Sequence, residues 1–276
     1  LCATDLGESG ATALAWAAAW ARSTGAELTL LHVDGAAHAP LDVPESMRAA
    51  AEALASRLDD QRAEHTAALA ANLKSLDLQC KLRIAVGRPW EATLEVAEEL
   101  DADLIVVGPH TSGIGSTARR IVTHAKRPVF VARGAAPKNL SGQRWVVGVP
   151  VSEGVPALVS HVDALAKAND GRLLLVRAVP MSGALFVETS AAALVGHVRE
   201  SMLARLSKLA DLLETPAEIH SVNGDAADVL DEVAEGSDIL ALATHEMGAL
   251  QRFVLGSVTE RVLRNAAQSV YIEPAS

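Results

Sequence analysis

Two stretches of this chain combine residues that could hold an anion. The first lies near the C-terminus. The apolar run Ile239–Ala243 reads as a strand, and Val258, Val262 and Leu263 are apolar at helical spacing. Between them stands a loop that ends in Gly256-Ser257, with Ser257 the expected N-cap of the helix. A helix that opens from a loop after a strand points free amides at whatever lies beyond its N-terminus, so the loop is a candidate phosphate cradle. The second stretch is a copy. Leu104–Val107 is the strand, Gly115-Ser116 the helix start. His110 matches His245 at an offset of 135 residues, whereas Gly115-Ser116 matches Gly256-Ser257 at an offset of 141, so the first loop is six residues shorter.

Each residue also has a plainer reading. Taken alone, Gly-Ser is an N-cap signal; its recurrence after a matching strand and histidine sets the anion site beside that reading. Asp5 could be a solvated turn residue or a cap, but its place at the carboxyl end of a strand favours a site residue. His110 and His245 recur at one position, but no second ligand stands at metal spacing, and local hydrogen bonding is the simpler role.

Composition narrows the partners. The 276 residues suffice for two domains, and with half of them hydrophobic each can bury a core. Aromatic residues make up only 3 %, so Ala, Val and Leu must fill most of that core. A net charge of −10 lacks the basic face that a nucleic acid or an anionic membrane would need. Cys2 and Cys80 form neither a disulfide framework nor a metal pattern, so a cytoplasmic setting is expected. No uninterrupted apolar run reaches the ~18 residues of a membrane span. Asp5 arrives four residues after Leu1, whereas the matching part of the second half has a full strand; a few residues are expected in front.

The elements that must position these residues alternate. Residues 1–4 end a strand, 10–23 form a helix and 26–33 a strand. A long helix is expected from Ser46 to about Leu76, with Arg57, Asp59, Asp60, Arg62 and Glu64 on its wet face. Strand 78–86, helix 89–100, strand 104–108, the short loop with its helix, and strand 127–133 complete a first set. Residues 134–143 read as a linker. The order then repeats: strand 144–151, helix 153–169, strand 172–179, a long helix 190–213, strand 217–222, helix 225–234, strand 239–243, the long loop with its helix, and strand 269–273. Strands alternating with helices predict parallel α/β units, each half a doubly wound five-stranded sheet. Ligands bind such sheets at the carboxyl ends of strands, where the strand order switches.

Three features carry a family resemblance across nearly the whole chain. Ala3-Thr4-Asp5 precedes a long first helix and the strand Ala26-Glu-Leu-Thr-Leu-Leu-His-Val33. Gly87-Arg-Pro leads into Val96-Ala-Glu-Glu-Leu-Asp-Ala-Asp-Leu-Ile-Val-Val-Gly-Pro-His110. Ala243-Thr-His is followed by Leu255-Gly-Ser-Val-Thr-Glu-Arg-Val-Leu-Arg-Asn-Ala. Both halves resemble the universal stress protein family, and the pair its tandem subgroup. The resemblance implies two Rossmann-like domains of the adenine nucleotide alpha-hydrolase type, at residues 1–136 and 142–276. It further implies that they pair through their fifth strands as a pseudo-dimer, with a homodimer of whole chains as a further assembly.

Nucleotide-binding members carry Gly-x-x-Gly, nine residues, then Gly-Ser or Gly-Thr, and an Asp after strand 1. The resemblance gives the loop amides to phosphates, the Asp to the nucleoside end and the end of strand 2 to the base, with ATP or another adenine nucleotide as ligand. The first half keeps Asp5, Val33, Gly108, Gly115 and Ser116 but has Thr111 at the second glycine and the shortened loop. Weak or absent ATP binding is expected there. The second half keeps the loop length, with nine residues between Glu246 and Gly256. Ala243 replaces its first glycine, Glu246 its second and Ser152 its Asp, while Arg252 can offset part of the Glu246 charge. A nucleotide or another small anionic ligand is expected there, at Pro150, Ser152, Ala178, Glu246, Arg252, Gly256, Ser257 and Val258. No catalytic or metal-binding residue is assigned. The function expected is that of a non-enzymatic stress-response regulator; the alternatives are a weak nucleotide hydrolase and a ligand-free scaffold.

Overall fold

The computed structural model describes residues 1–34, 78–109, 114–149, 155–179, 189–236, 238–244 and 255–274, with isolated positions between 46 and 67. The first half contains β1 (Cys2–Thr4), α1 (Glu8–Thr24), β2 (Leu28–Asp34), β3 (Cys80–Val86), α2 (Pro89–Glu99), β4 (Ile105–Val107), α3 (Ser116–His124) and β5 (Val129–Val131). The second contains β6 (Arg144–Gly148), α4 (Ala157–Ala168), β7 (Arg172–Val179), α5 (Thr189–Ala210), β8 (Ala217–Asn223), α6 (Ala226–Val233), β9 (Ile239–Ala243), α7 (Ser257–Asn265) and β10 (Ser269–Glu273). Most of the long helix expected before β3 lies outside the described residues; Arg57, Asp60 and Glu64 within it are helical and exposed.

Local chemistry explains the boundaries. Gly25 ends α1 in the left-handed region at φ 69°, donating its N–H to Ala21 O at 2.9 Å. Pro89 opens α2, where a missing N–H costs nothing. Asp225 caps α6 by accepting from the Ala227 N–H at 2.9 Å.

The strands form one ten-stranded sheet in the order β3-β2-β1-β4-β5-β10-β9-β6-β7-β8. Neighbours are parallel except β5 and β10, which pair antiparallel with Phe130 opposite Tyr271. The two five-stranded halves thus join through their last strands, as the resemblance implies. In each half the order reverses between the first and fourth strands, β1 beside β4 and β6 beside β9.

Each face of the sheet carries a core. One is built by α1, α4 and the end of α5 over Leu30, Phe130, Trp145, Leu175 and Tyr271; the other by α2, α3, α6 and α7 over Ile105, Val131, Val146, Leu240 and Ile272. The few aromatics concentrate at the seam. Trp20 lies 5.5 Å from Phe130, 5.9 Å from Trp145 and 6.2 Å from Tyr271, ring centre to ring centre. Trp16 packs at 5.1 Å from Phe130 and donates its indole N–H to Arg133 O. The buried Arg133 guanidinium donates to Leu263 O and Ala266 O, placing a cation at the C-terminal end of α7.

The segment 134–143 has no regular structure but is no free tether. Leu140 is fully buried in the seam core, its N–H donates to Ser23 Oγ at 2.7 Å, and Gly142 N–H donates to Asn169 O. The connection therefore docks on α1 on one side and on the end of α4 on the other.

Candidate functional site

The first crevice lies beyond the carboxyl ends of β1 and β4. Asp5 stands there exposed, and its Oδ1 accepts from the N–H groups of Gly7 at 3.0 Å and Gly10 at 2.9 Å. The N-cap of α1 is Gly7, which has no side chain, so Asp5 supplies the acceptor two residues early. Its carboxylate is thus a structural cap as well as a candidate ligand group. At Gly10 any Cβ would lie 2.1 Å from Thr4 Oγ1, so only glycine fits beneath it.

The start of α1 also lies down on the loop after β4. A Cβ on Gly108 would be 2.2 Å from Ser9 O, and Ser9 Oγ donates to Pro109 O. Ser9 therefore occupies the space directly over the first cradle residue. Gly115 is the N-cap of α3 in extended conformation, Ser116 is the first helical residue, and among the described residues no side chain caps that end. Val33 sits half-buried near the end of β2, paired with Ala85. Beside it, His32 Nδ1 lies 3.1 Å from Thr4 O.

The second crevice uses equivalent positions differently. Ala243 stands where the first half has Gly108, and its carbonyl accepts from Thr259 Oγ1 at 3.2 Å. With a Cβ at that position, a helix cannot approach β9 as α1 approaches β4. Correspondingly, α4 begins at Ala157, four residues later than α1 by the register that matches β6 to β1. Gly256 is the N-cap of α7 at φ −60° and ψ 146°, and among the described residues no side chain caps the first amides. The serine expected at the cap is instead the first helical residue, because the glycine already supplies the extended turn; the same holds for Ser116. Ser257 is exposed and Val258 half-buried beside it. Ala178 lies in β7 opposite Val222. Pro150, Ser152, Glu246, Arg252 and both loop histidines, His110 and His245, lie outside the described residues.

Sequence reasoning passed over Arg177. It occupies the position of His32 and donates Nη1 to Val149 O at 2.8 Å, the counterpart of the His32–Thr4 contact. Burial pulls its pKa down, and repulsion from Arg205 on α5 adds to this. The signal was available: aligned by strand, Leu30-Leu-His-Val33 faces Leu175-Val-Arg-Ala178. Chemically, the second crevice offers helix amides and guanidinium groups to an anion. Among the described residues no three His, Cys, Asp or Glu side chains are placed to share a metal ion, and no helix is long and apolar enough to cross a membrane.

The model of the universal stress protein family matches residues 1–133 and again 143–274. A universal stress protein from Archaeoglobus fulgidus DSM 4304 superposes with a TM-score of 0.68 at 15 % identity, covering 98 % of this chain and 96 % of that one. A structure from Pseudomonas aeruginosa UCBPP-PA14, described as a universal stress protein, gives 0.59 at 16 % identity, covering 91 % and 84 %. At such identities these likenesses carry the fold.

Proposed function

The chain belongs to the universal stress protein family as two tandem repeats, and we propose that it is a non-enzymatic, ligand-binding regulator whose second half holds a small anionic ligand. An adenine nucleotide is the first candidate. One observation carries the choice of half: Ser9 rests on Gly108 in the first crevice, whereas Ala243 and the later start of α4 keep the second from closing in the same way. The shortened first loop and the use of Asp5 as a helix cap favour the same choice. The uncapped amides at the start of α7 would then receive the anionic group.

Calorimetric and thermal-shift titration with ATP, ADP, AMP and adenosine, with and without magnesium, tests this. Binding should be lost in Gly256→Glu, which sets a carboxylate at those amides, and kept in Asp5→Ala. Binding lost in Asp5→Ala and kept in Gly256→Glu would move the site to the first half. No response to any nucleotide would leave the scaffold reading. Release of phosphate from ATP by the pure protein, abolished in Gly256→Glu, would instead make it a hydrolase.

A further inference from the structure

At the carboxyl end of the second half, on the face covered by α5, two cations and a buried hydroxyl come together. Arg177 is anchored by its bond to Val149 O, at the chain leaving β6. Ser221 is its ladder partner on β8, so both side chains leave the sheet on one face. Among the described residues Ser221 Oγ is buried without a hydrogen-bond partner. The helix α5 packs on β7 and β8, so Arg205, exposed on that helix, lies on the same face of the sheet, and its charge adds to the lowering of the Arg177 pKa. Among the described residues neither arginine forms an ion pair.

Left empty, this arrangement costs stability three times over: a half-buried cation, a like charge beside it, and an unsatisfied hydroxyl. The first half avoids the cost. Its equivalent ladder pair is His32 and Ile84, an imidazole and an alkyl group. An anion would relieve all three penalties at once, and a tetrahedral phosphate has acceptors enough for two guanidinium groups and a hydroxyl.

We propose that Arg177, Arg205 and Ser221 form an anion subsite for a phosphomonoester group, separate from the amides of α7. The subsite deepens, and rests on, the reading that the second half holds an anionic ligand. Strands β7 and β9 flank β6, so the subsite and the start of α7 are two strand spacings apart along the sheet, about 10 Å, and lie on its opposite faces. The ligand would therefore be a small molecule with anionic groups near both ends.

The test uses the full chain carrying Gly256→Glu, with inorganic phosphate as probe and acetate as control, followed by calorimetry and phosphorus NMR. Phosphate should still bind this protein. Adding Arg205→Ala should weaken it by about tenfold or more, the loss of one charge-assisted hydrogen-bonding partner. Ser221→Ala should weaken it less. Without phosphate, the Arg205→Ala protein should melt no lower than its parent, since a repulsion is removed, so lost binding will not reflect unfolding. Absence of phosphate binding in the Gly256→Glu protein, or binding untouched by Arg205→Ala, overturns the subsite. Phosphate binding that depends on Arg205 in a wild-type protein indifferent to nucleotides would keep the subsite and discard the nucleotide. Nucleotide binding lost in Gly256→Glu and unmoved by Arg205→Ala would do the opposite.

Discussion

The two halves share a fold but meet the seam between them with different chemistry. Where the first half places Trp16, Phe130 and Ala132, the second places His161, Tyr271 and Glu273. On the first side Trp16 packs ring against ring on Phe130, with no carboxylate among the three. On the second, the Tyr271 hydroxyl donates to Glu273 Oε2 at 2.9 Å, and His161 Nδ1 lies 3.1 Å from the same oxygen. In a symmetric dimer a residue near the two-fold axis faces its own copy, so each such contact must be self-complementary. Joining the copies in one chain lifts that restriction. Duplication here has produced a lock between unlike halves, as it has produced two unlike crevices.

Across the seam, Trp20 reaches from α1 to Trp145 and Tyr271 of the other half. Trp20→Ala should cost about 3–5 kcal/mol, the range for emptying a large aromatic site in a core. Denaturant unfolding measures it, and both halves should lose stability together. Trp90 packs within the first half alone, 5.0 Å from His124, and is only partly buried. Trp90→Ala should cost less. The reverse ranking would show that the seam is not where the halves draw their common stability.

Gly108→Ala drives a Cβ into Ser9 and should destabilise by about 1–3 kcal/mol, as overpacking does. Its mirror, Ala243→Gly, meets no such contact and should cost no more than about 1 kcal/mol, the conformational price of glycine. Equal costs in chemical denaturation would mean that the two crevices are closed alike.

The polar side of the seam predicts a pH response. Burial raises the Tyr271 pKa above its ordinary value, with the Glu273 charge adding to it. The folded state therefore favours the neutral phenol. Its contribution is fully present below pH ~10, the ordinary tyrosine value, and is lost as pH rises above that. Tyr271→Phe should flatten the alkaline fall in stability while costing about 1 kcal/mol near neutrality for the lost hydrogen bond. Phe130→Tyr should not be the equivalent change, because Ala132 offers its new hydroxyl no carboxylate. Urea midpoints from pH 7 to 11 would separate the two variants.

Much of this frame was readable in the chain itself. The bounds of β7, β9 and β10 coincide with their apolar runs, since turn residues or a helix end flank them closely. The seam was legible through the family resemblance, and a fifth strand of Val-Phe-Val or Val-Tyr-Ile would make a costly edge if left unpaired. Other features depend on tertiary contacts that periodicity does not encode. The polar stretch 134–143 hides one apolar residue, Leu140, and the core it fills is assembled from both halves. Asp5 looked like a site residue because it follows a strand; its role as a cap depends on Gly7 having no side chain to do the work. Arg177 was invisible to a motif reading because it departs from the motif, and only the alignment of strand ends exposes it.

The smallest effect expected is also the most direct test of the lock. Arg119 on α3 and Glu260 on α7 occupy the same position in the two repeats, and they pair with each other across the seam at 2.8 Å. In a symmetric dimer this position would bring two like charges together. Both side chains are partly exposed, so the pair is worth about 0.2–1 kcal/mol. Arg119→Glu should cost that much or slightly more, since it turns attraction into repulsion. Adding Glu260→Arg should recover only part of the loss. Glu260 also accepts from Arg264 one turn later at 3.1 Å, and an arginine at position 260 would face that cation instead. A double-mutant cycle at low salt should give a coupling that fades as salt rises. A coupling of zero at low salt would reduce the pair to two independent surface charges and confine the lock to the aromatic core.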